Sequence, residues 1–317
     1  MTTNRAGIGA GVLLVLATAV ISGVSTFVNF YAVKGTSSDA FVTVRNLVVA
    51  AAFVPIALLA TRWLRAPALR RVDWARLVLI GLIGGAIPFV LFFEGIQMAT
   101  AAGGAAAATF GYRTLFLMAT VLGLVVLHEK FHSRILLAAG LLLVGNALLL
   151  TLTGPIWTNG TGYVLIATAM WAVEYTISKR TLRDLPSATV ALGRMGFGAL
   201  FLSAYLLVTA QWGTVGRFTG AQWEWVLISA ALLLAFVASF YAGLKRVDLG
   251  VATAVLVLGF PITWMLGVIA QGSPMTVGAA AGAAAVSAGV VVAIGWTQFR
   301  DTGQFLAERL GLRTPSA

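Results

Sequence analysis

The 317-residue chain is 60% hydrophobic and only 10% charged, whereas soluble domains carry roughly 25% charged residues, so its natural solvent is lipid. In such a chain a net charge of +11 is a signal of topology rather than the footprint of a nucleic-acid partner. The absence of cysteine excludes disulfides, thiol nucleophiles and cysteine metal sites. The histidines, His128 and His132, share one short charged loop and make an incomplete metal shell, so neither a metal nor a cofactor is expected.

A membrane span takes about 20 mostly apolar residues. Apolar runs broken by charge, glycine or proline predict about ten transmembrane helices, at 8–33, 40–61, 76–98, 101–127, 134–152, 161–179, 187–210, 223–244, 249–270 and 276–297. The first run follows Met1 to Arg5 in the manner of a signal peptide, but it is longer than a signal peptide's apolar region and is read as a retained helix. The alanine and glycine runs 101–108 and 278–285 read as surfaces for close helix approach, and Gly278-x3-Gly282 as a candidate dimerisation face. Beyond the last span, Phe299, Phe305, Leu306 and Leu310 among charges predict a short surface helix.

Lysine and arginine gather in short cytoplasmic loops. With the N-terminus inside, that side takes Arg5, Arg62, Arg65, Arg70, Arg71, Arg76, Lys130, Arg134, Lys179, Arg180, Arg183, Lys245, Arg246, Arg300, Arg309 and Arg313, against Lys34 and Arg217 opposite. The alternation predicts an all-α integral membrane protein of the inner membrane with both termini in the cytoplasm. The chain also matches itself about 150 residues on. Ala17-Thr18-Ala19 recurs as Ala167-Thr168-Ala169, Arg45 as Arg194, Val78-Leu79-Ile80 as Val226-Leu227-Ile228, Phe93-x-Gly95 as Tyr241-x-Gly243, and Gly111-Tyr112 as Gly259-Phe260. An odd number of helices per half turns the second half upside down. The expected organisation is thus two inverted five-helix repeats, 1–152 and 153–297, followed by a cytoplasmic tail, 298–317, with any binding site near the midplane between the repeats.

Arg45 in the second helix, Leu127-His128-Glu129-Lys130-Phe131 after the fourth, the Gly140 to Gly145 stretch of the fifth and Gly259-Phe260-Pro261 in the ninth resemble the EamA-type branch of the drug/metabolite transporter superfamily, over residues 8–297. The resemblance implies secondary transport of a small metabolite, with export as the direction, and leaves the substrate open. Relatives of this kind often carry proline in both the fourth and ninth helices, whereas here Arg113 stands where the ninth helix has Pro261.

Ionisable side chains inside a membrane are functional candidates by default, and five qualify: Arg45, Glu94, Arg113, Glu174 and Arg194. Depth along the helices pairs Arg45 with Glu94 as an outer gate and Glu174 with Arg194 as an inner one, each also readable as a permanent structural bridge. Arg113 lies near mid-membrane, where its fixed charge and planar donors suit a carboxylate or phosphate. Three arginines against two glutamates favour an acidic or zwitterionic solute, such as an amino acid or organic acid, with a glutamate as candidate proton coupler. Phe93, Tyr112, Trp171, Tyr175, Tyr241, Phe260 and Trp264 are candidate pocket aromatics, or packing and interface residues. Asn29 and Asn46 are polar groups of the outer region. Pro261 removes a backbone hydrogen bond and is a candidate hinge. Glu129 is read as a bridge to Lys130 or Arg134. The expected partners are a small-molecule substrate and membrane lipid, with no nucleic acid, the protein being a monomer or homodimer. No P-loop, HExxH or dinucleotide turn is present. A membrane enzyme acting on lipid, or a scaffold or sensor that moves nothing, remain the alternatives.

Overall fold

The computed structural model describes residues 5–32, 37–63, 68–150, 154–272 and 274–309. Lys34, Arg65 and Arg313 lie outside them. The chain runs α1 (Arg5–Ala32), α2 (Ser38–Trp63), α3 (Arg71–Gly85), α4 (Ile87–Ala101), α5 (Ala105–Arg113), α6 (Leu115–Val126), α7 (Arg134–Leu150), α8 (Asn159–Thr181), α9 (Ser187–Val208), α10 (Gly220–Leu244), α11 (Leu249–Leu256), α12 (Gly259–Gln271), α13 (Val277–Ile294) and α14 (Trp296–Arg309). Among the described residues, eight segments are long and apolar enough to cross a membrane, and α7 is a shorter apolar helix of 17 residues. The more polar α8, 23 residues long, packs among α3, α4, α5 and α6. Those neighbours bury its polar Thr168, Glu174, Thr176 and Ser178, while the apolar Ile166 and Val173 stay on its exposed face.

Three segments expected as continuous helices are interrupted. The first, 71–101, breaks at Ala86, just before Pro88. Pro88 has no N–H to give the carbonyl four residues back, that of Gly84. The second, 105–126, breaks at Thr114, whose hydroxyl donates to the Gly111 carbonyl at 2.7 Å and so draws the turn away from the regular ladder. The third, 249–271, breaks at Val257 and Leu258, ahead of Pro261. Pro261 cannot bond the Val257 carbonyl, which accepts instead from Phe260 N at 3.1 Å in a tighter turn.

The halves pack reciprocally. α1 lies on α10 and α12, and α8 lies correspondingly on α4 and α6; α2 pairs with α9, and α7 with α13. Small residues set the approach. A Cβ on Gly95 would sit 2.8 Å from the Gly160 carbonyl oxygen in α8, and one on its repeat counterpart Gly243 would sit 2.6 Å from a Val15 methyl in α1. The repeated glycine is therefore the point at which each half admits the first helix of the other. α7 and α13 meet through Gly145 and Gly282, where an added Cβ on either would lie 2.7 Å from the other's carbonyl oxygen. Gly282, read from sequence as part of a dimerisation face, is thus occupied within the chain, while Gly278 is open.

Candidate functional site

The site begins with the carbonyl that Pro88 frees. Gly84 O accepts from Trp171 Nε1 at 3.0 Å and from Arg194 Nη2 at 3.1 Å, so one peptide at the α3–α4 break holds side chains from α8 and α9. Arg194 Nε stands 3.5 Å from Glu174 Oε2, an ionic contact without a hydrogen bond at either atom. The other carboxylate oxygen, Oε1, accepts from Ser178 Oγ at 2.5 Å and from Tyr241 OH at 2.6 Å. Glu174 is 0% exposed and Arg194 5%. Every neighbour bonded to this carboxyl group is a donor, an arrangement suited to an anion.

Arg113, at the end of α5, donates from Nη1 to Asn146 Oδ1 at 3.2 Å. Asn146 is itself fixed by Nδ2 donating to the Leu142 carbonyl at 2.8 Å. The guanidinium lies 4.0 Å from the Phe260 ring centroid, a cation–π contact that joins the α5–α6 break of one half to the start of α12 in the other. Its Nε is buried without a partner. A cavity of about 60 Å³ here is lined by Tyr112, Arg113, Phe116, Tyr175, Val257 and Phe260 among others. That is room for about two waters beside Arg113.

Aromatic rings run through the centre in edge contacts: Phe89 to Trp171 at 5.4 Å, Trp171 to Tyr112 at 5.5 Å and Tyr112 to Phe260 at 6.2 Å. Of the aromatics expected at a pocket, Tyr112, Tyr175 and Phe260 line the cavity. Trp171 and Tyr241 position charged or polar groups, Phe93 stacks on Phe89, and the half-buried Trp264 is away from the cavity lining. Asn29 accepts from Ser229 at 2.6 Å, fastening α1 to α10.

The two charge pairs fare differently. Glu174 and Arg194 come together as expected, but Arg45 and Glu94 do not. Glu94 is exposed and lies near Asp39, while Arg45, 6% exposed, donates from Nη2 to Asn46 Oδ1 at 3.4 Å and lies near Arg194. Matching depths by thirds of a helix misled here. Arg45 and Arg194 each stand seven residues into their helices, about 10 Å at 1.5 Å per residue. α2 packs on α9, and Arg45 lies within electrostatic reach of Arg194. Among the described residues the centre thus holds the buried Arg45 and Arg194 and the half-buried Arg113 against the buried Glu174.

Glu129 bridges neither Lys130 nor Arg134. Its Oε1 accepts from Leu249 N at 2.8 Å, placing a carboxylate at the positive N-terminus of α11. His128 and His132 are exposed. Sequence reasoning passed over Pro88, Asn146 and Ser178. A proline inside an apolar run and an asparagine in the otherwise apolar α7 were the available signals.

The EamA-like transporter family model matches residues 9–151 and 158–295. Among curated proteins, none matches the chain in sequence. A solved crystal structure, titled only as that of a protein, is 17% identical and superposes with a TM-score of 0.73 over 89% of this chain and 96% of its own, a likeness of fold.

Proposed function

The chain belongs to the EamA-like transporter family, and on that premise we propose that it exports a small acidic or zwitterionic metabolite, amino-acid-like or an organic acid, across the inner membrane. In this reading ten helices cross the bilayer as two inverted five-helix repeats with both termini in the cytoplasm, in keeping with the family match to two segments and the lysine and arginine distribution. The solute binds between the repeats and is exposed to the two sides in turn as they rock.

The observation that carries the solute class is Arg113. Its guanidinium is fixed by Asn146 and Phe260 yet keeps a buried, unpartnered Nε beside a small cavity. A fixed planar cation with a donor to spare suits a carboxylate. Arg45 adds a second buried cation without an acidic partner, and the excess of arginine over glutamate favours an anion. Glu174 is assigned the coupling proton, taken up when Arg194 moves away from it.

The test is thermal stabilisation of the detergent-purified protein by amino acids, organic acids, sugar phosphates and cationic drugs, repeated with Arg113→Gln. A ligand of the folded state raises Tm by mass action. Stabilisation of the wild type by acidic or zwitterionic solutes, lost in the variant, supports the reading. Stabilisation only by cations or neutral drugs overturns it.

A further inference from the structure

A groove of about 430 Å³ opens on the outside of the bundle between α2, α3 and α9, away from the solute cavity. Its walls are almost wholly apolar and include Leu47, Val54, Leu69, Trp74, Phe197 and Leu200, of which Val54, Trp74 and Leu200 are exposed. From Thr189 to Leu200 along α9 it runs eleven residues, or about 16 Å at 1.5 Å per residue. That is close to one leaflet's share, about 15 Å, of a 30 Å hydrocarbon core.

One end of the groove is polar. Thr189, only 6% exposed, lines it there, and its hydroxyl is buried with no hydrogen-bond partner. An orphaned hydroxyl costs free energy unless something supplies its bond. At the same end Arg70, Trp74 and Leu77 share a face of α3 at i, i+4 and i+7, with Arg71 three residues before Trp74 on that side. Arg70 is engaged by Asp73 at 3.0 Å, and Arg76 by Asp184 at 3.1 Å. Arg71 is exposed and makes no ion pair among the described residues. Arg62, exposed in the last turn of α2, adds a further cation.

We propose that this groove is a binding site for one anionic phospholipid of the leaflet at the arginine-rich end. An acyl chain lies along α9 between Leu47 and Leu200, an ester carbonyl accepts the Thr189 hydroxyl once rotation about χ1 turns it from its covered position into the groove, and the phosphate meets Arg71 and Arg62. The length of the groove, its orphaned donor at ester depth and the cations beyond it occur in the order in which a phospholipid presents chain, ester and phosphate.

The experiment is native mass spectrometry of the full-length protein released from detergent with phosphatidylglycerol or phosphatidylcholine of identical acyl chains. The wild type is expected to retain phosphatidylglycerol preferentially. Arg71→Gln with Arg62→Gln should lower that preference by about fivefold per arginine. Gly196→Leu should reduce retention of both lipids, because a Cβ there meets only a Leu192 methyl, at 3.8 Å, and the side chain fills the groove without displacing backbone. Equal retention of the two lipids by the wild type, or a preference untouched by the arginine changes, overturns the proposal. So does a dimer that Gly196→Leu dissolves, which gives the groove to a second copy, or thermal stabilisation by inorganic phosphate alone that the arginine changes abolish. No solute enters this assay, so its outcome is separate from that of the transport reading.

Discussion

Glu174→Gln tests the centre of the site most directly. In the wild type one carboxylate oxygen accepts from two hydroxyls, at 2.5 and 2.6 Å, and the other faces Arg194 Nε at 3.5 Å. Glutamine keeps an oxygen for the hydroxyls but turns an amide donor toward the guanidinium donors. Arg194 is then left with the Gly84 carbonyl alone. Removing one partner of a buried pair costs about 3–5 kcal/mol. At about 1.5 °C per kcal/mol for a chain of 317 residues, Tm should fall by roughly 5–8 °C. The assay is thermal unfolding in detergent of Glu174→Gln, Arg194→Gln and the double variant. Because the charge stranded by either single change is absent from the double, the double should lose no more than the worse single, which makes the coupling at least the smaller single's loss, about 3 kcal/mol. If its loss equals the sum of the singles, Glu174 and Arg194 act independently and the reasoning fails.

Gly160→Val should destabilise strongly, since a Cβ there runs into the α4 backbone at Ala99 and Gly95; Gly140→Ala, inside α7 with nothing within 4 Å of its Cβ, should hold or slightly raise Tm, and equal losses at the two sites would refute the reciprocal-wedge account. Pro261→Ala returns an N–H to the Val257 carbonyl; we expect a higher Tm and slower solute flux in proteoliposomes, and unchanged flux would remove its role as a hinge. Burial holds the Glu129 carboxyl above the usual range, outweighing the Leu249 N–H that lowers it. A raised carboxylate contributes stability that is fully present below the unfolded value of about 4.3 and is lost as pH rises through the folded value. Relative to Glu129→Gln, the wild type should therefore lose stability as pH climbs above about 4.3, and parallel pH–Tm curves would contradict this.

The repeat was legible because backbone contact leaves its mark in sequence. Gly95 and Gly243 recur at the same offset because each is too small to replace without moving a facing helix. Arg113, Glu174 and Arg194 stood out because charge in an apolar run is rare. Which charges touch was not legible, because a span alone gives depth but not rotation about the helix axis. Glu94 and Arg45 thus share a depth by residue count, yet Glu94 is exposed near Asp39 while Arg45 is buried near Arg194. The breaks at Ala86 and Thr114 were missed for another reason. Pro88 sits in a run whose hydropathy never falls, and Thr114 interrupts α5 and α6 through its own hydroxyl, a local competition that an apolar count does not register.

The reciprocal packing also bears on biosynthesis. α1 is made well before α10 and α12, the neighbours it packs against from the other repeat. Thr18 bonds Ser239, 221 residues later. At 5–20 residues per second, the groove that admits α10 stands open for roughly 10–45 s, with the small residues around Gly11 and Val15 facing lipid or an insertion chaperone. A protein whose halves complete each other cannot finish its first half before the ribosome has nearly finished the second. A chain stalled midway would present the same face to quality control that the mature protein keeps hidden.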